Sequence, residues 1–138
     1  MAIINMQTMR YINLLDNASR VKTSKCFVYN NIIYFAVPVD KISRAIGPNA
    51  SNIRMLQEKI GKRVRIIRQA MGKEEAERFI NDIINPVRFK SIDISDNMIT
   101  ITAGSNQSKA SLIGRNKRRL FELEKILKDS FGVELKVV

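Results

Sequence analysis

An internal repeat constrains the fold of this chain more than any other feature of its sequence. Two short turns, Asn30-Asn31 and Asp96-Asn97, lie at equivalent places in the two halves of the chain, and apolar residues alternate on both sides of each turn. The alternating positions are Cys26, Val28, Ile33, Phe35 and Val37 in the first half and Ile92, Ile94, Ile99, Ile101 and Ala103 in the second. This alternation around a two-residue turn is typical of a β-hairpin. The sequence therefore predicts two copies of one small module.

A repeated loop follows each predicted hairpin. Ala45-Ile46-Gly47-Pro48-Asn49-Ala50 matches Leu112-Ile113-Gly114-Arg115-Asn116-Lys117 at almost the same offset as the turns. A short helical stretch precedes each loop and a longer one follows it, because apolar residues recur there at helical spacing. These residues are Ile53, Leu56 and Ile60 after the first loop and Leu120, Leu123 and Leu127 after the second.

The remaining segments complete an α+β fold. Helices are predicted at about 4–16 and 73–84, before the hairpins, and a strand is predicted after Gly61 and after Gly132. Each copy then reads helix, strand, strand, helix, loop, helix, strand, which predicts a three-stranded sheet covered on one face by three helices. The two predicted domains are residues 1–70 and 71–138, joined at about residues 69–73.

The charge of the chain indicates a polyanionic partner. It has 24 Lys and Arg residues against 13 Asp and Glu residues, a net charge of +11. In a small chain this basic, neutralised phosphates release counterions and drive binding. Residues 41–68 hold eight basic residues and one acidic residue, and residues 109–119 hold five basic residues and none that is acidic. Residues 1–70 carry +9 and residues 71–138 carry +2, so the first half is expected to dominate electrostatically.

Each repeated loop has the sequence chemistry of a phosphate-binding loop. Glycine lets the backbone turn tightly and approach a ligand, and the following helix begins with unpaired N–H groups. Gly47 and Gly114 could also simply end helices, as Gly61 is predicted to do, but their position between two helices favours the phosphate loop. Asn49 and Asn116 could position the backbone or cap the following helix, and both interpretations stay open.

The candidate binding residues are the loops and the polar or basic residues around them. They are Lys41, Arg44, Gly47, Pro48, Asn49, Ala50, Asn52 and Arg54 in the first half and Lys109, Gly114, Arg115, Asn116, Lys117 and Arg118 in the second. Arg54, Arg118 and Arg119 are expected near phosphates, since they lie in the first turns of the following helices. The tyrosines Tyr11, Tyr29 and Tyr34 could stack on bases, but core packing is the favoured prediction. Core packing is also predicted for Met6, Met9, Met55 and Met98.

The order of elements and the Ile-Gly-x-x loops resemble the KH domain in its prokaryotic, type II arrangement. Two such units in 138 residues look like the archaeal NusA-like transcription elongation and termination factors, and the resemblance covers nearly the whole chain. In KH domains a Gly-x-x-Gly loop clamps the backbone of about four nucleotides. The resemblance therefore implies binding of single-stranded RNA, a role in transcription elongation, termination or antitermination, and RNA polymerase as a candidate protein partner.

Both loops depart from the family pattern at its fourth position. Ala50 stands there in the first loop and Lys117 in the second. Alanine favours the first turn of a helix, so Ala50 is expected to be a mild change. Lys117 is bulkier, so it is expected to hinder the approach of RNA to the loop backbone while its charge attracts phosphate. The departures keep open a second interpretation, a KH-fold module that contacts proteins of the transcription or translation apparatus with weak or lost RNA binding. A ribosomal protein with a single KH unit is disfavoured by the tandem repeat.

An enzyme is not expected. The chain has no histidine and no P-loop pattern, so no catalytic residue, metal site, cofactor or small-molecule substrate is predicted. The lone Cys26 lies in an apolar run, which predicts a buried residue and a reducing, cytoplasmic compartment. The first residues, MAIINMQTMRYINLL, predict an amphipathic helix and not a signal peptide. No apolar run approaches the ~20 residues of a membrane span, so no membrane partner is expected.

Overall fold

The order of elements is the same in both halves of the computed structural model, which describes residues 6–138. The first half contains α1 (Met6–Ser19), β1 (Lys25–Tyr29), β2 (Ile32–Val37), α2 (Ile42–Ile46), α3 (Ser51–Ile60) and β3 (Arg63–Arg68). The second contains α4 (Ala76–Ile84), β4 (Ser91–Ile94), β5 (Met98–Thr102), α5 (Asn106–Ile113), α6 (Arg118–Phe131) and β6 (Glu134–Val137). The described residues form two units, of which the first ends at Gln69 and the second is Ala70–Val138.

The sheets have the same topology in both units. In the first, the order is β1-β2-β3, with β2 antiparallel to β1 and parallel to β3. In the second, the order is β4-β5-β6 with the same directions. A parallel neighbour requires a crossover connection, and the pairs α2–α3 and α5–α6 provide it. The loop between the two helices of each pair is the repeated glycine loop.

The first helix runs further than the sequence pattern predicts. The predicted segment begins at residue 4, outside the described residues, and α1 continues to Ser19 instead of stopping at about 16. The Ser19 hydroxyl donates to the Leu15 carbonyl oxygen (2.7 Å) and accepts from the Val21 N–H (3.2 Å). These bonds satisfy a buried polar side chain where the helix ends. The second predicted helix, 73–84, consists of a 3-10 turn (Lys73–Glu75) followed by α4.

The two hairpins have the predicted registers and different turns. Tyr29 pairs with Ile32 and Ile94 pairs with Ile99. Asn30 and Asn31 both have positive φ (51° and 63°), as a type I′ turn requires. The second turn is closed by the Ser95 hydroxyl, which donates to the Met98 carbonyl oxygen (3.0 Å) and accepts from the Met98 N–H (3.2 Å).

The core of the first unit lies between the sheet and its three helices. Ile33, Phe35 and Val37 of β2 are fully buried there against side chains of the helices and β3. Those partners include Tyr11, Leu15, Ala45, Leu56 and Val64. The side chains of α1, α2 and α3 thus meet one face of the sheet, as predicted.

The central strands of the two sheets differ in burial. In β5, the buried Ile99 and Ile101 alternate with half-exposed residues. In β2, all six residues are buried, so its second face is covered as well. On that face the Phe27 ring stacks on Tyr34 at a centroid distance of 5.5 Å, and the Arg65 side chain hydrogen bonds to Tyr34. The three helices cover one face of the first sheet, as predicted, and the burial of its other face at β2 is an addition that the sequence prediction did not include.

Burial confirms the prediction for the tyrosines and corrects that for two methionines. Tyr11, Tyr29 and Tyr34 are each at most 4% exposed, so none presents a ring for stacking on a base. Met6 and Met9 are 88% and 52% exposed, because they lie on the outer side of α1, opposite the buried Tyr11 and Leu15. Cys26 is half-buried against the core, and burial raises its thiol pKa to about 12.

Candidate nucleic-acid interface

The first glycine loop is held in a conformation that few residues can adopt. Gly47, which ends α2, has φ 82° and ψ 165°, a region occupied essentially by glycine alone. Pro48 follows, and then Asn49 and Ala50 are both left-handed, with φ 54° and 58°. The Ala50 N–H donates to the Gly47 carbonyl oxygen (3.1 Å), and α3 begins at the next residue.

The second loop repeats this backbone closely. Gly114 has φ 75° and ψ 174°, and Asn116 and Lys117 are left-handed with φ 55° and 61°. The Lys117 N–H donates to the Gly114 carbonyl oxygen (3.2 Å). The two loops have only their glycine and asparagine in common, yet all four residues of each follow the same backbone path.

The left-handed residues correct the expectation for Ala50 and decide between the two interpretations of Asn49 and Asn116. Ala50 precedes α3 with positive φ, so it is not an early-helix residue, and L-residues adopt this conformation at a cost of about 1–2 kcal/mol. Asn49 and Asn116 do not cap α3 and α6, because Ala50 and Lys117 occupy the capping positions and no side chain accepts a capping bond there. Asparagine suits its position for another reason, since its short polar side chain tolerates the left-handed region.

A side chain crosses over each glycine and ties the two helices together. The Asn52 side-chain amide donates to the Arg44 carbonyl oxygen (3.1 Å). The amide passes so close to Gly47 that a Cβ added to this glycine would lie 2.9 Å from Asn52 Nδ2. At the equivalent positions of the second unit, the Arg119 guanidinium donates to the Ser111 carbonyl oxygen (3.1 Å). A Cβ on Gly114 would lie 2.8 Å from Arg119 Cγ. We call Asn52 and Arg119 the strap residues.

The strap role does not follow from the sequence pattern alone. Arg119 is expected near phosphates, but its guanidinium is engaged with the backbone. Arg54, also expected near phosphates, donates to the Asn49 carbonyl oxygen and so supports the first loop. The repeat does contain a signal for the straps, since 52 and 119 are equivalent positions that both carry a side-chain donor.

The other predicted basic residues are available at the surface. Arg44, Lys109, Arg115, Lys117 and Arg118 are exposed, and Lys41 is half-exposed. Between residues 6 and 138, the ion pairs involve Arg78 with Glu75 and Asp82, and Lys128 with Glu134, so no cation of the two loops is neutralised by a carboxylate. These cations thus lie in the two loops or in the segments of the chain next to them, one loop in each unit.

Each loop also leads directly into a helix, and the first N–H group of that helix bonds back to the loop. The Ser51 N–H donates to the Pro48 carbonyl oxygen, and the Arg118 N–H donates to the Arg115 carbonyl oxygen. No side chain caps α3 or α6, and the partial positive charge at the start of each helix attracts an anion. Such an arrangement can bind a phosphate group of a polyanion. Among the residues described, no cluster of His, Cys, Asp and Glu could hold a metal ion. No helix within 6–138 is long and apolar enough to span a membrane.

The comparisons with known proteins agree with this fold. No protein-family model matches the chain. A protein of Halococcus morrhuae described as a probable transcription termination protein NusA is 23% identical over 128 residues, covering 91% of this chain and 90% of that protein. The crystal structure of APE1850 is similar with a TM-score of 0.67 and 25% identity, covering 98% of this chain and all of that one. Over the described residues, six α-helices and two three-stranded sheets form a mixed α+β fold consistent with KH-like domains.

Proposed function

We propose that this chain binds single-stranded RNA through two tandem type II KH domains, residues 1–70 and 71–138, and acts as a transcription elongation or termination factor. One observation carries the proposal: two loops with the same glycine-dependent backbone each lead into a helix without a side-chain cap. Within residues 6–138, the exposed cations next to these loops have no carboxylate partner. In KH domains, loops of this kind clamp the RNA backbone. The similarity to a probable transcription termination protein supports the role in transcription.

The proposed role is non-catalytic. The loops and the residues next to them offer side-chain amides and cations, which suit the binding of phosphates. RNA polymerase is the candidate protein partner, and the proposed compartment is the cytoplasm. The predicted binding residues keep their role, with Asn52 supporting the loop rather than touching RNA, and Arg54 dividing its contacts between the loop and RNA.

RNA binding is tested by anisotropy of a labelled 12-nucleotide single-stranded RNA, with single-stranded and duplex DNA of the same sequence for comparison. We expect the affinity for RNA to fall steeply with salt, because phosphate contacts release counterions. The double variant Gly47→Asp/Gly114→Asp should lose binding, since it places a carboxylate where phosphates would lie. Gly61→Asp/Gly132→Asp is the matched control, because it makes the same charge change at two left-handed glycines that have open space around them.

Two results would contradict RNA binding: no affinity for single-stranded RNA at low salt, or equal affinity for duplex DNA. The role in transcription is tested separately, by sequencing RNA crosslinked to the protein in cells. Recovery of nascent transcripts is the expected result. Recovery of ribosomal RNA alone would contradict the transcription role.

The second candidate function is a KH-fold module that contacts proteins. The left-handed Ala50 and Lys117 favour it, because each carries a side chain where the family pattern has glycine and so narrows access to the backbone. In that case, the Gly47→Asp/Gly114→Asp variant would keep the RNA affinity of the wild type and lose binding to RNA polymerase.

A further inference from the structure

The outer face of α6 carries a surface that the glycine loop does not account for. Arg118, Phe121 and Lys125 share one side of the helix, because they are spaced three and four residues apart. Phe121 is 57% exposed, although a phenylalanine usually buries its ring. The opposite side of α6 holds the core, with Leu123, Ile126 and Leu127 buried. We call Arg118, Phe121 and Lys125 the α6 stripe, which is ~10 Å long at 1.5 Å per residue.

The same positions are different in the first unit. When the two glycine loops are aligned, Phe121 corresponds to Arg54 and Lys125 corresponds to Glu58. Arg54 supports its own loop by donating to the Asn49 carbonyl oxygen, a bond that a phenyl ring cannot make. The second unit therefore has an exposed ring in place of an internal support, and a basic residue in place of an acidic one. These differences add apolar area and positive charge to the same side of one helix.

The α6 stripe is continuous with the second loop and ends within two turns. Its first residue, Arg118, directly follows Lys117 of the loop. Further along the helix, Lys128 is paired with Glu134 (3.1 Å), and the exposed Asp129 lies beside it. Glu122 and Glu124 flank the stripe on its two sides, and both are half-buried. Over residues 118–125, the exposed charged side chains are therefore both basic, and Phe121 lies between them.

We propose that the α6 stripe binds the RNA segment next to the second loop, with an unpaired base stacked on the Phe121 ring and phosphates near Arg118 and Lys125. An exposed aromatic ring between cations complements a chain that alternates flat apolar bases with phosphates. This inference rests on the proposed RNA binding. It assigns a base contact to the second unit, whose loop is the less glycine-like of the two and whose net charge is the smaller.

The test uses the full chain and two labelled probes, a 12-nucleotide single-stranded RNA of random sequence and an abasic ribose-phosphate chain of the same length. Phe121→Ala should weaken binding of the RNA about fivefold or more, the size of one lost stacking contact, and leave the abasic probe unaffected. Phe121→Trp should restore RNA affinity. Met71→Ala is the matched control, because it removes another exposed apolar side chain, 77% exposed, outside the α6 stripe.

Salt dependence separates stacking from charge. Phe121→Ala should leave the slope of log affinity against log salt unchanged, whereas Lys125→Gln should reduce it by about 0.7, the value of one single-strand phosphate contact. Since Phe121 is exposed, its removal should leave the melting temperature of the protein unchanged.

The outcomes distinguish this inference from the proposed function. If the wild type binds RNA and Phe121→Ala binds it equally well, RNA binding by the α6 stripe is contradicted and RNA binding by the loops stands. An equal loss on the abasic probe would also overturn stacking. Unchanged RNA affinity together with lost binding to RNA polymerase would make the stripe a protein contact instead. If the wild type binds no RNA, both proposals fail.

Discussion

At the scale of single residues, backbone conformation determines which residue types fit the two loops more than side-chain chemistry does. The fourth position of each loop is left-handed, a conformation that glycine adopts without steric cost. Ala50 and Lys117 hold that conformation with a side chain attached. Sequence reasoning could place the loops, because their glycines repeat at a fixed offset. It could not show that Ala50 lies before the helix, since alanine by itself favours the helical region.

Replacing Ala50 by glycine is expected to stabilise the protein by about 1 kcal/mol, because glycine removes the cost of a positive φ. Urea unfolding followed by circular dichroism measures this difference. Ala45→Gly is the control, since Ala45 is buried within α2 and has helical neighbours, so the same change there should be destabilising. A loss of stability in Ala50→Gly comparable to that in Ala45→Gly would show that position 50 is not left-handed in solution.

The buried thiol predicts how stability depends on alkaline pH. Burial raises the pKa of Cys26 from 9.0 to about 12, so above pH 9 the unfolded chain loses this proton before the folded protein does. Stability is therefore intact below pH 9 and falls as the pH rises from 9 towards 12. Burial also raises the pKa of Tyr34 above 10.0, which acts in the same direction at higher pH.

The contribution of Cys26 to the loss of stability at alkaline pH is isolated by comparing the wild type with Cys26→Ala. Urea unfolding between pH 8 and 11 should show a smaller loss of stability in the variant, because only the tyrosine contribution and the general charge effects remain. Parallel losses in the two proteins would mean that the thiol is not protected from ionisation. Alkylation of the folded wild type by iodoacetamide should also be slow relative to the unfolded chain.

At the scale of elements, the periodic spacing of apolar residues predicted most helices and strands, whereas details that involve single side-chain hydrogen bonds were not predicted. Alternation around Asn30-Asn31 and Asp96-Asn97 predicted both hairpins, and their registers follow from it. The extension of α1 to Ser19 was not predicted, because the polar residues Asp16, Asn17 and Ser19 do not continue the apolar pattern of the helix. The straps left only a weak signal in the sequence, since the equivalent positions 52 and 119 both carry a side-chain N–H donor but hold different residue types.

The strap in the second unit is expected to hold the second loop in shape. Arg119→Ala removes the donor to the Ser111 carbonyl oxygen and should cost about 0.5–1.5 kcal/mol, the net value of a hydrogen bond. Amide hydrogen exchange should become faster in residues 112–118, where the loop joins its two helices. RNA affinity should fall as well, because a mobile loop must be ordered on binding.

Arg118→Ala is the matched control for this experiment. It removes the same charge from the neighbouring exposed position, so its RNA affinity should fall while its stability changes by less than about 0.5 kcal/mol. Exchange in residues 112–118 should stay at the wild-type rate. If the two variants exchange equally, Arg119 acts only through its charge and the strap does not hold the loop.

At the scale of the whole chain, the two units are unequal copies. The charge of +9 over residues 1–70 and +2 over 71–138 could be read directly from the sequence. The burial of both faces of β2 could not, because Ile32, Tyr34 and Ala36 continue an apolar run that a strand with either one or two covered faces can carry. Electrostatics thus favours the first loop for affinity, while the second unit offers Phe121.

This inequality predicts how affinity depends on the length of the RNA. An RNA of about four nucleotides fills one KH loop, so it should bind mainly to the more basic first unit, and Gly47→Asp should weaken it far more than Gly114→Asp. A longer RNA that occupies both loops should bind more tightly by up to about 10²–10⁴-fold, because the second contact becomes intramolecular. Gly114→Asp should abolish this gain and leave the four-nucleotide affinity unchanged. Anisotropy over RNAs of 4 to 24 nucleotides measures both effects, and an affinity that does not rise with length in the wild type would mean that the two loops do not act on one RNA.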